Sequence, residues 1–382
     1  MHPLRKIVVA PDSFKESLSA SEVAAIIAAA LREQLPGVAV LEMPVADGGE
    51  GTLDVLVRAT AGRRHMATVS GPLGAPVTAS WGLLGDGRSA IIEMATASGL
   101  MLVPPTDRNP LLASTEGTGE LILAALDTGA RHFILAIGGS ATNDGGSGML
   151  RALGMRFLDD TGRDLPAGGA ALARLARIDP AGLDPRLAHC RFDVACDVDN
   201  PLTGPQGASQ VFGPQKGASP AMVATLDAAL AHYGAIIKTT LGRDVAQMPG
   251  AGAAGGMGAA ALAFLGGRLR PGIDIVLDAL EFDARIADAD LLITGEGRLD
   301  GQSLRGKSPI GVARRGKRAG LPVIALAGSV ADDVDAVHPH GIDAVFACVP
   351  RAMPLADVLA EARTNLARTA RNVAALLALG RQ

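Results

Sequence analysis

Apolar and polar positions along this 382-residue chain fall into a strand–loop–helix rhythm. Residues 7–10 form a short β-prone run, the pattern of a buried strand. It stops in a polar loop, Pro11-Asp12-Ser13-Phe14-Lys15-Glu16-Ser17. Ser19 and Glu22 then carry the spacing of a capping box. Val23, Ile26, Ile27, Ala30 and Leu31 follow at i, i+3, i+4, i+7 and i+8, which predicts a helix burying that face. Pro36-Gly37 ends it. Residues 38–45 predict a second strand, running into Asp47-Gly48-Gly49-Glu50-Gly51-Thr52 and a helix through Leu53, Leu56 and Val57. Both opening strands thus deliver polar loops at their carboxyl ends, where open α/β sheets bind ligands.

Between about 63 and 103 the rhythm changes. Segments 66–69, 77–83 and 90–94 have β character and are separated by Gly-Pro and Gly-Asp-Gly turns, which predicts antiparallel strands. A helix at 120–126, a strand at 191–195 and helices near 220–240 and 253–265 follow. The last is so rich in Gly and Ala that a neighbouring backbone must approach closely. Regular alternation returns in the final third: strands at 290–294, 323–327 and 344–349, with helices from about Pro309 and over 355–377. Two opening and three closing strands predict a five-stranded parallel sheet. The chain therefore reads as α/β with two domains. Residues 1–62 and 286–382 form a flavodoxin-like α/β domain, and 63–285 an inserted mixed α/β domain.

The middle of the chain carries the densest signal. The apolar run 133–137 turns abruptly into Gly138-Gly139-Ser140-Ala141-Thr142-Asn143-Asp144-Gly145-Gly146-Ser147-Gly148, and apolar residues resume at helical spacing in Met149, Leu150 and Leu153. A strand entering a helix through such a loop predicts free backbone N–H groups and a positive dipole end, which suits an anion.

Composition narrows the classes. Hydrophobic residues make up 48% and charged residues 19%, an ordinary globular profile. A net charge of -4 without a dense basic run gives no attraction to nucleic acid. Aromatics are only 3%, so a nucleotide base would lie between aliphatic surfaces. Cys190, Cys196 and Cys348 make no CxxC pair and read as reduced thiols. The opening apolar run is too short for a secretory segment. The candidate span 253–265 falls short of the roughly 20 residues a membrane crossing needs. The expectation is a cytoplasmic protein with no membrane or nucleic-acid partner, and a homo-oligomer is left open.

Four loops place acids beside small residues: Asp47 with Glu50, Asp144, Asp197 with Asp199 and Asn200, and Glu296 with Asp300. Carboxylates and hydroxyls with few His or Cys suit Mg²⁺ and not zinc. Residues 301–308 match the phosphate-loop pattern GxxxxGK[ST], ending in Lys307 and Ser308. The preceding strand is expected to stop at Thr294, however, which does not suit a standard phosphate loop. No GxGxxG stands in a dinucleotide-binding context, and no GxSxG supports a serine hydrolase.

Six stretches together, 10–17, 45–52, 91–99, 138–145, 197–202 and 294–302, resemble the type-1 glycerate kinase family in the same order over nearly the whole chain. The resemblance implies a two-domain α/β enzyme that phosphorylates glycerate with ATP and Mg²⁺ in an inter-domain cleft. Among bacterial members it implies 2-phosphoglycerate as product and a role in glyoxylate and sugar-acid breakdown. Under that reading Asp197, or failing it Asp47, is the base near the reacting hydroxyl. Lys15 and Lys307 stabilise the transferring group. Arg298, with Ser13 and Asn200, binds substrate. Gly138, Gly139, Ser140, Asn143, Asp144 and Gly145 receive phosphate, and Asp199, Glu296 and Asp300 hold the metal. A kinase for another short hydroxy acid, or a two-lobe sensor of a sugar acid or nucleotide, is the alternative.

Overall fold

The computed structural model describes residues 4–301, 303–304 and 307–380. The chain divides into two compact units, Met1–Asp47 with Ile273–Gln382, and Gly48–Gly272. The divisions fall at 47/48 and 272/273, against 62/63 and 285/286 from the sequence pattern. Each unit is built around its own sheet.

The first unit holds five strands in the spatial order Ala344–Ala347, Val323–Val330, Leu291–Leu299, Lys6–Val9, Ala39–Glu42. Every neighbouring pair is parallel. Numbered along the chain, the order is 2-1-3-4-5, the flavodoxin-like doubly wound arrangement. Its reversal point lies between Lys6–Val9 and Leu291–Leu299, whose register sets Val9 opposite Ile293. The helix Ala20–Gln34 carries the expected capping box. Ser19 Oγ accepts from the Glu22 N–H, and the Glu22 carboxylate accepts from the Ser19 N–H. Val23, Ile27 and Leu31 pack with Ile7, Val9 and Ile293, and with Leu366 and Val373 of the helix Ala362–Leu379.

Two expectations here are corrected. The strand predicted at 290–294 continues to Leu299, because Gly295 to Leu299 pair onward with Val323–Val330. Gly295 permits this: a Cβ there would lie 2.0 Å from the Leu326 carbonyl oxygen. Glu296 and Arg298 therefore stand on a strand and not in a loop. The long helix predicted over 355–377 is two helices, Leu355–Ala360 and Ala362–Leu379, interrupted at Glu361.

The second unit holds a six-stranded mixed sheet in the order Arg268–Arg270, Arg191–Ala195, His132–Ala136, Ser89–Glu93, Pro76–Leu83, Arg63–Ser70. The last three are joined antiparallel, as the change of rhythm predicts, and the rest are parallel. Phe133 and Phe192 stack at 4.9 Å within a core that includes Trp81, Leu121 and Leu230. The helix Pro220–Leu241 is long and apolar enough by length and composition to cross a membrane. It buries Val223, Leu226, Leu230, Tyr233 and Ile237 in the unit. The expected close approach at 253–265 is present. Gly255 has φ +67°, and a Cβ on it would sit 2.1 Å from the Thr142 carbonyl oxygen.

Candidate functional site

In the first unit, the loops leaving the two strands at the reversal point meet. The Asp12 N–H donates to the Gly295 carbonyl at 2.8 Å. Asp12 is nearly buried, and its carboxylate accepts from Ser308 Oγ at 2.5 Å and from the Ser13 N–H at 2.6 Å. Burial, reinforced by the neighbouring Asp47 carboxylate, pushes the Asp12 carboxyl up to about 6.

Glu296 faces the same space from the strand Leu291–Leu299. It accepts from Ser303 Oγ at 2.5 Å, and Lys307 Nζ lies 3.8 Å from it. Burial raises its carboxyl to about 7, with Asp12 and Asp300 pushing the same way and Ser303 and Lys307 opposing. Lys307 is also 4.0 Å from Asp300, whose other oxygen lies 3.5 Å from the Arg298 guanidinium. Lys15 Nζ stands 4.0 Å from Asp47, and its side chain is mostly exposed.

Asp12, Ser13, Lys15, Asp47, Glu296, Arg298 and Lys307 line one cavity of about 310 Å³, whose remaining wall includes Phe14, Val349, Leu355, Val358 and Leu359. The first unit therefore brings together seven polar groups from three separated parts of the sequence. Six of them were named from sequence. Asp12 was missed as a site residue, although its loop was singled out. Its signal was a lone acid directly behind a strand end, which only burial turns into a near-neutral carboxylate. Ser308 was read only as the last residue of the phosphate-loop pattern, and Ser303 was missed because a serine carries no pattern of its own.

The corrected strand end also changes the phosphate-loop match. The strand now ends at Leu299, two residues before Gly301, and the helix Ser308–Arg318 starts directly after Lys307. The strand thus reaches to within two residues of the motif, against the expected stop at Thr294. Gln302, Arg305 and Gly306 of that motif lie outside the described residues.

The second unit treats its glycine-rich loops differently. The segment Ser140 to Leu150 is buried throughout, and only Gly138 and Gly139 are exposed. The helix that follows, Ser147–Ala152, is short and its start is covered. Asp144 supplies the anion expected there. Its carboxylate accepts from the Gly146 and Gly148 N–H groups at 3.1 Å each, and from the Thr115 N–H and hydroxyl at 2.9 Å each. Asp144 is thus a buried internal cap. Asn143 is also buried and donates to Ser209 Oγ, and a Cβ at Gly145 would strike the Tyr233 ring. Asn143, Asp144 and Gly145, expected to receive phosphate, face the protein in this structure. Ser140 Oγ accepts from Lys216 Nζ at 2.8 Å, and Lys216, which sequence reasoning missed, is itself buried. Glu93 does the same for the helix Thr52–Ala59, accepting from the Leu53 N–H at 2.8 Å.

Asp197 and Asp199 are exposed, and Asp197 accepts from the Gly272 N–H at 3.0 Å. The carboxyls raised toward neutrality are instead Asp12 and Glu296, where burial operates. Asn200 turns its amide to the Gln206 carbonyl at 2.8 Å. Among the described residues, no group of three or more His, Cys, Asp or Glu is placed to hold a metal by itself. Glu296 and Asp300 belong to the first unit and Asp199 to the second. The first-unit cavity nevertheless gathers the carboxylates of Asp12, Asp47 and Glu296 with the Ser13 hydroxyl, and its carboxylates raise one another. That chemistry suits a hard divalent cation whose remaining ligands come from phosphate and water.

A sequence model of the glycerate kinase family matches residues 7–378. The chain belongs to the glycerate kinase family. It is 56% identical over 375 residues to glycerate 2-kinase of Escherichia coli strain K12, covering 98% of each chain. It is 54% identical over 376 residues to glycerate kinase of Bacillus subtilis strain 168, again covering 98% of each. A crystal structure from Salmonella typhimurium LT2, provisionally assigned as glycerate kinase 2, superposes with a TM-score of 0.91 at 56% identity over the whole of both chains. This membership makes the chain a phosphotransferase. It accounts for the order of the six sequence motifs, including those whose residues prove to be internal caps.

Proposed function

We propose that this enzyme transfers the terminal phosphoryl group of ATP to a hydroxyl of glycerate, with 2-phosphoglycerate as product. The observation that carries the reading is the first-unit cavity: carboxylates and two lysines at the reversal point of a flavodoxin-like sheet, in a chain of the glycerate kinase family. The product assignment follows the likeness to the Escherichia coli 2-kinase.

Phosphoryl transfer asks the protein for positioning, charge neutralisation and a proton acceptor. Asp12 suits the last role, because a carboxylate raised toward neutrality can take a proton from a hydroxyl as the oxygen attacks. Ser308 and the Ser13 N–H hold that carboxylate in one orientation. Lys307, pinned between Glu296 and Asp300, and the exposed Lys15 stabilise charge on the transferring group. Arg298 and Ser13 offer contacts for the glycerate carboxylate. Glu296 and Asp300 would hold Mg²⁺, which when bound neutralises charge on the donor phosphates.

The test is release of ADP from ATP by the purified chain with glycerate and Mg²⁺, with the product passed to enolase without a mutase. Immediate conversion by enolase supports the 2-phosphate. ADP release without it moves the reaction to another hydroxyl. A panel of other short hydroxy acids accepted better than glycerate would reassign the substrate.

A further inference from the structure

The first-unit cavity has two unlike sides, and the transfer chemistry uses only one. The polar side carries Asp12, Lys15, Glu296 and Lys307. The other side is formed by Phe14, Val349, Leu355, Val358, Leu359 and Ala362. Leu355, Val358 and Leu359 belong to the short helix Leu355–Ala360, which buries none of its residues. Their apolar surface is left facing the cavity and solvent. Glycerate carries an oxygen on every carbon and has no apolar face with which to use such a wall.

Asn365 stands on the same side. It is 2% exposed and lines the cavity, yet neither its amide nitrogen nor its amide oxygen has a hydrogen-bond partner among the described residues. A buried polar group left unpaired gives up its hydrogen bonds to water and gains none in return. An unpaired donor and acceptor in one plane form a hydrogen-bonding edge for a complementary ligand edge. A purine ring has the matching form: two flat apolar faces and a rim carrying donors and acceptors. Asn pairs in this bidentate way with the N6/N7 edge of adenine. The chain has few aromatic side chains, so aliphatic side chains take the place of a stacking ring.

We propose that the aliphatic side of this cavity is the purine subsite of the phosphoryl donor, and that Asn365 reads the adenine edge. The proposal rests on the reading of the chain as an ATP-dependent kinase. It orders the donor along the cavity, with the base beside Leu355–Ala360 and the phosphates toward Lys15 and Lys307.

The experiment titrates the full chain with ADP, without glycerate, by calorimetry, and compares ATP with GTP in steady-state kinetics. Asn365→Ala removes the amide, and Val358→Trp fills the cavity from a half-buried helix position. Asn365→Ala should weaken ADP about tenfold or more and reduce the preference for ATP over GTP by a similar factor, with the KM for glycerate within about twofold. Val358→Trp should abolish ADP binding while keeping a cooperative melt, and it carries the test alone if Asn365→Ala does not fold. Unchanged ADP affinity in the folded variants, or a raised KM for glycerate in place of nucleotide, overturns the proposal. The ADP titration needs no acceptor substrate. Wild-type chain that binds ADP through these residues but phosphorylates no glycerate sinks the functional reading and leaves this one standing. Glycerate phosphorylation with ADP binding indifferent to both variants does the reverse.

Discussion

Ser308 Oγ donates a 2.5 Å hydrogen bond to the Asp12 carboxylate, 296 positions earlier in the chain. The bond joins the start of the helix Ser308–Arg318 to the loop behind the first strand, on either side of the sheet's reversal point. It also opposes the burial that raises the Asp12 carboxyl. Asp12→Asn should lower kcat about 10²–10⁴-fold with a smaller change in KM for either substrate. Activity should fall as pH drops through about 6, where the wild-type carboxyl takes up its proton. Ser308→Ala, which removes a stabiliser of the charged form, should move that acidic limb to higher pH. A pH–rate profile of both variants reads this, and an unmoved limb in Ser308→Ala removes Asp12 from the role of base.

Asp144 is predicted to matter for folding and not for ligand binding. It satisfies four donors from a buried position, so Asp144→Ala strands several of them. The expected loss is about 3 kcal/mol or more of stability. Denaturant unfolding of the wild type and the variant measures it. A variant as stable as the wild type but unable to bind nucleotide would return Asp144 to the ligand site.

Lys216 makes a prediction of opposite character. Burial lowers its ammonium from 10.5 to about 7, while Nζ donates to Ser140 Oγ and, at 2.6 Å, to the Thr142 carbonyl. Between those two pH values the unfolded chain binds a proton that the folded chain releases. Stability should therefore rise with pH from about 7 towards 10, and the full burial penalty applies only below about 7. Lys216→Met removes this dependence. Its stability relative to wild type should be greatest near the low end of the range and shrink as pH rises. Parallel stability curves for the two proteins would count against a depressed lysine.

Gly255 tests the close approach of two backbone segments. Its φ of +67° and the 2.1 Å gap to the Thr142 carbonyl leave no room for a methyl group. Backbone strain at such a residue is about 1–3 kcal/mol, and the steric overlap adds to it. Gly255→Ala should lower the melting temperature by several degrees and loosen the Thr142–Gly145 segment. Amide exchange at Gly145, whose N–H donates to the Gly255 carbonyl at 2.9 Å, reports the loosening directly. Unchanged protection at Gly145 would mean that the two segments are not held together there.

Periodicity alone determined most of the architecture. The capping box at Ser19 and Glu22, the parallel strands at both chain ends and the antiparallel change after residue 63 are local patterns. Local patterns survive folding when burial and hydrogen bonding agree with them. The family was legible too, because six ordered motifs are a property of the chain itself. The fate of each acid was not. Asp144 and Asp12 look alike in sequence, each beside small residues behind a strand. Packing turns one into a four-fold internal acceptor and leaves the other on the wall of a cavity. The Gly295–Leu299 continuation was hidden for a related reason: glycines read as loop until a neighbouring strand supplies the hydrogen bonds that hold them extended. Asn365 had no sequence signal at all, since an amide on a helix acquires meaning only from the partners its surroundings withhold. Sequence thus set the elements and their order. Desolvation and hydrogen-bond supply, which depend on residues hundreds of positions away, decided which side chains were left to do chemistry.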